Sequence, residues 1–105
     1  MVSHNHVILT GKVAKPPLRH YRPDGSPVIQ FVLELNQAKG PSEEERKSRI
    51  DIVATGRLAE AGPTLLEHGQ HLLVEGRLQE RRWKTTEGRN LSRIEVIATD
   101  FRKVE

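Results

Sequence analysis

An all-β barrel of five antiparallel strands, with one short helix between the third and the fourth, is the fold this sequence predicts. Three observations lead to it. Five segments carry strand patterning, turn-forming Pro and Gly residues separate them at short intervals, and a single stretch spaces its apolar residues as a helix does. At 105 residues the chain has the size of one domain, and 1–105 is read as that domain.

The first strand, His6 to Ala14, is β-branched and apolar, and Pro16-Pro17 stops it because proline has no amide to offer a ladder. Leu18 to Tyr21 is a short extended piece that Pro23-Asp24-Gly25 folds back as a hairpin. The second strand, Val28 to Leu35, places Ile29, Phe31, Leu33 and Leu35 on one face, with Gln30 and Glu34 on the other. From Asn36 to Lys47, Gly40-Pro41-Ser42 and the run Glu43-Glu44-Glu45-Arg46-Lys47 are too polar to pack, which predicts a mobile loop. The third strand, Arg49 to Thr55, sets Ile50, Ile52 and Ala54 against Arg49 and Asp51.

The helix is expected over Leu58 to His68, where Leu58, Ala61, Leu65 and Leu66 recur at helical spacing and Gly69 follows as a C-terminal cap. Pro63 either kinks it or begins it, leaving only the last two turns regular. The fourth strand, Leu72 to Leu78, continues through Thr85, and Glu87-Gly88-Arg89-Asn90 turns the chain into the fifth, Leu91 to Asp100. Three segments share a pattern of Gly, a basic residue and an apolar one: Leu9 to Val13, Ala54 to Leu58 and Val74 to Leu78. Glycine weakens a strand unless it allows a bend, and a small barrel needs bends to close. Gly11 and Gly76 are therefore the expected barrel corners, as against glycines that merely end a strand.

A five-stranded barrel with this helix placement is the OB-fold architecture, which binds oligonucleotides or oligosaccharides on one face and its flanking loops. The charge distribution favours nucleic acid. Although the net charge is only +3, Lys12 to Arg22 holds four basic residues and no acidic one, and Arg81 to Arg93 holds five against Glu87. Leu58 to Gly76, by contrast, contains Glu60, Glu67 and Glu75 with no Lys or Arg. Scattered solvated charge is the plainer reading of any single residue here.

Single strands are held by a basic groove along the phosphates and by aromatic faces on which bases stack. Of the four aromatics, Phe31 keeps step with Ile29 and Leu33 and belongs to the core, and Phe101 is read likewise. Trp83, inside Arg81-Arg82-Trp83-Lys84, is the candidate stacking platform, with packing under the long loop as its alternative; Tyr21, between His20 and Arg22, is the second candidate. Lys12, Arg19, Arg22, Arg49, Arg77, Arg81, Arg82, Lys84 and Arg89 complete the candidate DNA-binding set.

Enzyme chemistry is not expected. The chain has no cysteine, so disulfides, thiolate metal sites and Cys nucleophiles are excluded. His4 and His6 lack a third metal ligand at a fitting spacing, His68 and His71 flank the helix end, and no phosphate-binding Gly loop or nucleophile elbow occurs. No metal or cofactor is expected. No apolar run reaches the roughly 18 residues of a membrane span, and Met1 to Val7 lacks the apolar core of a signal peptide. A cytoplasmic, nucleoid-associated protein is the expectation.

Several pieces together resemble the bacterial single-stranded DNA-binding proteins (SSB): Asn5 to Gly11, Pro17-Leu18-Arg19 leading to Pro23-Asp24-Gly25 and Val28, Gly56-Arg57-Leu58-Ala59-Glu60, and Val74-Glu75-Gly76-Arg77-Leu78 ending in Trp83. Pro17-Leu18-Arg19 through Gln30-Phe31-Val32-Leu33-Glu34 is equally similar to the primosomal replication protein N family (PriB). The resemblance implies sequence-independent binding of single-stranded DNA in replication, recombination or repair, or else a primosome accessory module with weaker DNA binding and protein partners. It implies a dimer or tetramer in which the first strand helps form the subunit contact. RNA remains an alternative ligand, because stacking ignores the 2′-hydroxyl. SSB relatives carry further aromatics where this chain has Lys39, Arg49 and Thr55, which implies more electrostatic binding, and a tail with an acidic tip, whereas this sequence stops at Glu105.

Overall fold

The alternating segments become strands because each can bury one face and leave the other to water. The computed structural model describes residues 4–35, 48–61 and 66–104. Its elements are β1 (Val7–Val13), β2 (Leu18–Tyr21), β3 (Pro27–Leu35), β4 (Arg49–Thr55), helix α1 (Gly56–Ala61), β5 (His71–Lys84) and β6 (Asn90–Lys103). The five expected strands correspond to β1, β3, β4, β5 and β6. The extended piece at Leu18 forms a sixth, β2, laid on β3 from Leu18↔Gln30 to Tyr21↔Pro27. The loop expected over Asn36 to Lys47 lies outside the described residues.

The sheet runs β1-β5-β6-β4-β3-β2, and β1 also pairs with β3 through Gly11↔Leu35, Lys12↔Glu34 and Val13↔Leu33. That second pairing closes the barrel. All pairings are antiparallel except β4 with β6, which run parallel from Asp51↔Glu95 to Val53↔Ile97. The interior holds Ile29, Phe31 and Leu33 of β3 against Ile52, Val74 and Val96, each buried. Phe31 and Phe101 meet edge to face with ring centroids 5.6 Å apart. Both aromatics assigned to the core from alternation are in it.

The helix differs from the expectation. It occupies Gly56–Ala61, starting two residues before Leu58 and finishing ahead of Pro63, which lies outside the described residues. The apolar spacing that suggested a longer helix includes Leu66, which is buried in the core but is not helical. Proline disfavours helical conformation in the residue before it and removes a helix hydrogen bond, so a short helix ending ahead of it accommodates both. Gly69 belongs instead to a separate turn, its amide donating to the carbonyl of Val13 at 2.8 Å.

Gly11 and Gly76 are the barrel corners. A Cβ on Gly11 would strike the carbonyl oxygen of Glu34, and one on Gly76 the carbonyl oxygen of Ile97. At Gly76 the register of β5 against β6 also shifts, a β-bulge that lets β5 leave β1. From Glu80↔Ile94 to Lys84↔Asn90, β5 and β6 pair only with each other, because the partners of β1 end at Gly76 and those of β4 at Glu95. The result is a two-stranded arm projecting from the barrel.

The β2–β3 turn is fixed by Asp24, whose carboxylate accepts hydrogen bonds from the hydroxyl (2.6 Å) and the amide (2.9 Å) of Ser26. These bonds stabilise the charged form and hold its pKa below the usual range of an aspartate carboxyl. A depressed folded-state pKa gives stability that is present above the unfolded value and lost as pH falls through the folded one. A pH titration followed by carboxyl carbon shifts is therefore expected to show Asp24 protonating below the usual aspartate range, with Ser26 amide protection lost in the same step. Asp24 protonating within or above that range would remove the role given to Ser26.

Candidate nucleic-acid interface

Side chains alternate along a strand, so past the bulge Arg77, Gln79, Arg81 and Trp83 share the outer face of β5. The register puts Ile97, Glu95, Arg93 and Leu91 of β6 directly opposite them. On the neighbouring strands the same outer face continues through Asp51 and Val53 of β4, and Gln30, Val32 and Glu34 of β3. A groove of about 200 Å³ crosses it. Its apolar lining comes from Pro16, Leu18, Phe31, Val32 and Val53, and Lys15 and Gln30 line it as well.

Three ion pairs cross this face. The Arg49 Nη2 donates to Glu34 Oε2 at 3.3 Å, the Arg93 Nη1 donates to Asp51 Oδ2 at 3.1 Å, and the Arg81 Nε lies 3.6 Å from Glu95 Oε2. Glu95 is only 4% exposed, the one buried charged residue described. Arg81 also stacks on Trp83, with its guanidinium carbon 4.8 Å from the ring centroid, so Glu95, Arg81 and Trp83 form a chain from the barrel onto the arm. Trp83 remains 37% exposed. The ring offers a stacking surface on an open arm.

The residues singled out from sequence divide between separate surfaces. Arg49, Arg77, Arg81 and Trp83 are on the groove face. Arg82 and Lys84 are on the opposite face of the arm, where the Arg82 guanidinium pairs with Glu80, and Arg89 is in the tip turn, its amide donating to Thr85 Oγ1 at 3.1 Å. Lys12 lies across from Glu34 on the outer barrel wall. Arg19 and Tyr21 share the other face of β2: Arg19 Nη2 donates to the Ala59 carbonyl of α1 at 3.2 Å, and its guanidinium is 6.0 Å from the Tyr21 ring. Tyr21 is 62% exposed but does not share the face of Trp83. Arg22 lies in the turn after β2, its amide bonded to the Ser26 carbonyl.

Sequence reasoning missed Glu95, Asp51 and Arg93 as members of the site. Arg93 was within the second basic stretch, but its partner Asp51 is 42 residues away in the chain. The signal that unites them is the parallel pairing of β4 with β6, which composition does not reveal. His6, considered and set aside as a metal ligand, instead lies 2.5 Å from the Glu75 carboxylate.

The model of the single-strand binding protein family matches residues 4–104. The chain is 32% identical over 103 residues to the single-stranded DNA-binding protein of Aquifex aeolicus (strain VF5), spanning 95% of this chain and 69% of that protein. It is 34% identical over 101 residues to the single-stranded DNA-binding protein of Thermotoga maritima, spanning 93% and 72%. A third similar protein, the single-stranded DNA-binding protein of Caldanaerobacter subterraneus subsp. tengcongensis, is 35% identical over 102 residues, spanning 96% and 68%. Nothing in these similarities favours the primosomal alternative.

Proposed function

Because the chain belongs to the single-strand binding protein family, we propose that it binds single-stranded DNA through the groove face and the β5–β6 arm, largely without regard to sequence, in replication, recombination or repair. The observation that carries this reading is Trp83, a part-exposed indole among cations on an arm open to solvent. Every base has a π-face, so stacking there tolerates any sequence. Lys15, Arg77, Lys84 and Arg89 have no ion pair among the described residues and are free to meet phosphates. Tyr21 and Arg19 mark a second contact where a long strand wraps past β2 toward α1.

Binding without catalysis, in the cytoplasm with the nucleoid, fits this role, as does assembly into a dimer or tetramer through β1, where Ile8 is 58% exposed. Replication and repair proteins are the expected protein partners.

Titrating tryptophan fluorescence with an oligothymidine tests the reading, since Trp83 is the only tryptophan and reports its own site. Quenching is expected at low salt. If Lys15, Arg77, Lys84 and Arg89 each neutralise one phosphate, log affinity should fall with log salt at a slope of about −3, from roughly 0.7 per single-strand contact. Absence of quenching and of any mobility change at low salt would remove the DNA reading.

A further inference from the structure

The cations central to the groove are already occupied by carboxylates of the same chain. Arg81 and Arg93 are direct cross-strand neighbours, an arrangement that like charges destabilise. Each is drawn aside by its own acid: Arg81 by Glu95 at 3.6 Å and Arg93 by Asp51 at 3.1 Å. A phosphate approaching either guanidinium must displace that carboxylate or sit beside it. Cations elsewhere on the rim and arm, Lys15, Arg77, Lys84 and Arg89, meet no such competitor among the described residues.

We propose that Asp51 and Glu95 are internal competitors of the DNA backbone, which lower affinity for single strands and steer phosphates to the unpaired cations of the rim and arm. This rests on the single-stranded DNA reading above and names the residues that set its strength. The apolar part of the groove is accessible to whatever enters, with Leu18 68% exposed and Val32 half-buried above the buried Val53. It suits the uncharged face of a base. The rim suits the backbone, so the strand lies with bases turned inward and phosphates outward.

Asp51→Asn and Glu95→Gln each remove a competing charge while keeping shape and hydrogen-bonding capacity. Asp100→Asn is the control, because its carboxylate pairs with Arg102 at 3.1 Å on a stretch of β6 beyond the groove. Affinity for an oligothymidine is read from Trp83 quenching over a series of salt concentrations, with thermal melting to establish that each variant is folded. Asp51→Asn is expected to bind about two- to fivefold tighter at low salt, the span of an exposed ion pair. Its salt slope should steepen by about 0.7, one more phosphate contact. Glu95→Gln should move in the same direction, and Asp51 is exposed enough that its variant remains informative if loss of the buried Glu95 charge unfolds the other.

Binding by folded Asp51→Asn that is unchanged or weaker than that of the unaltered chain overturns the proposal, as does an equal gain from Asp100→Asn. In either case the DNA reading survives, because the unaltered chain still binds. Failure of the unaltered chain to bind overturns both.

Discussion

Replacing Gly76 by alanine is expected to destabilise the protein by about 3 kcal/mol, in the upper range for forcing extra volume into a packed site. The added Cβ would meet the carbonyl oxygen of Ile97, and would lie 2.9 Å from both the Ala98 Cα and the Ile97 carbonyl carbon. All three are backbone atoms, so no side-chain rotation relieves the contact. Either β6 moves away or β5 loses its bulge. Gly11 faces a similar obstacle in Glu34, but one of its close neighbours is the Leu33 side chain, which has some freedom to yield.

Gly76 is also the point where β5 passes from the barrel to the arm, so a shift there moves Arg81 and Trp83 relative to Arg93 and Glu95. Urea unfolding checks the prediction: with a slope of about 1.5 kcal/mol/M, the midpoint should fall by roughly 2 M. A loss below about 1 kcal/mol would mean that the barrel corner is more pliant than its backbone contacts imply.

The same glycine shows why much of the fold was legible in the sequence. A Gly in the middle of Val74 to Leu78 has no use in a flat strand, and a bend was the physical reason to place it there. Alternation in β3 was equally informative: Ile29, Phe31 and Leu33 are buried, whereas Gln30 and Glu34 are only partly so. Alternation in β4 told part of the story. Ile52 and Ala54 face the core as expected, yet Val53 on the opposite face is also buried, at the bottom of the groove it lines. The helix was misplaced because Leu66 serves the core from a non-helical segment, a case where burial imitates helical periodicity.

The site was legible residue by residue but not as an arrangement. Counting charges identified two basic stretches, which the fold then distributes over the groove, both faces of the arm and the α1 side of β2. Charge counting also gave no warning that Arg49, Arg81 and Arg93 each face an acid across the sheet. Those partners come from distant segments, and only the strand order brings them together. The count of basic residues thus overstates how many cations the groove face holds free for phosphate.

Trp83→Ala is expected to reduce affinity for single-stranded DNA by about 1 to 3 kcal/mol, the range for loss of one base stack. Anisotropy of a labelled oligothymidine reads this, since the variant has no tryptophan left. Stacking exchanges no ions, so the loss should be the same at low and high salt, with the salt slope unchanged. Trp83→Phe, which keeps a ring, should recover most of it. The Arg81 guanidinium, 4.8 Å from the indole, makes the slope as informative as the affinity. If the ring acts mainly by holding Arg81 toward the DNA, its removal frees that side chain to follow Glu95, and the slope becomes shallower by about 0.7 for one lost phosphate contact. A constant slope with lower affinity assigns Trp83 to the bases. A shallower slope assigns it to the positioning of Arg81, and unchanged affinity would leave the arm's aromatic ring without a part in binding.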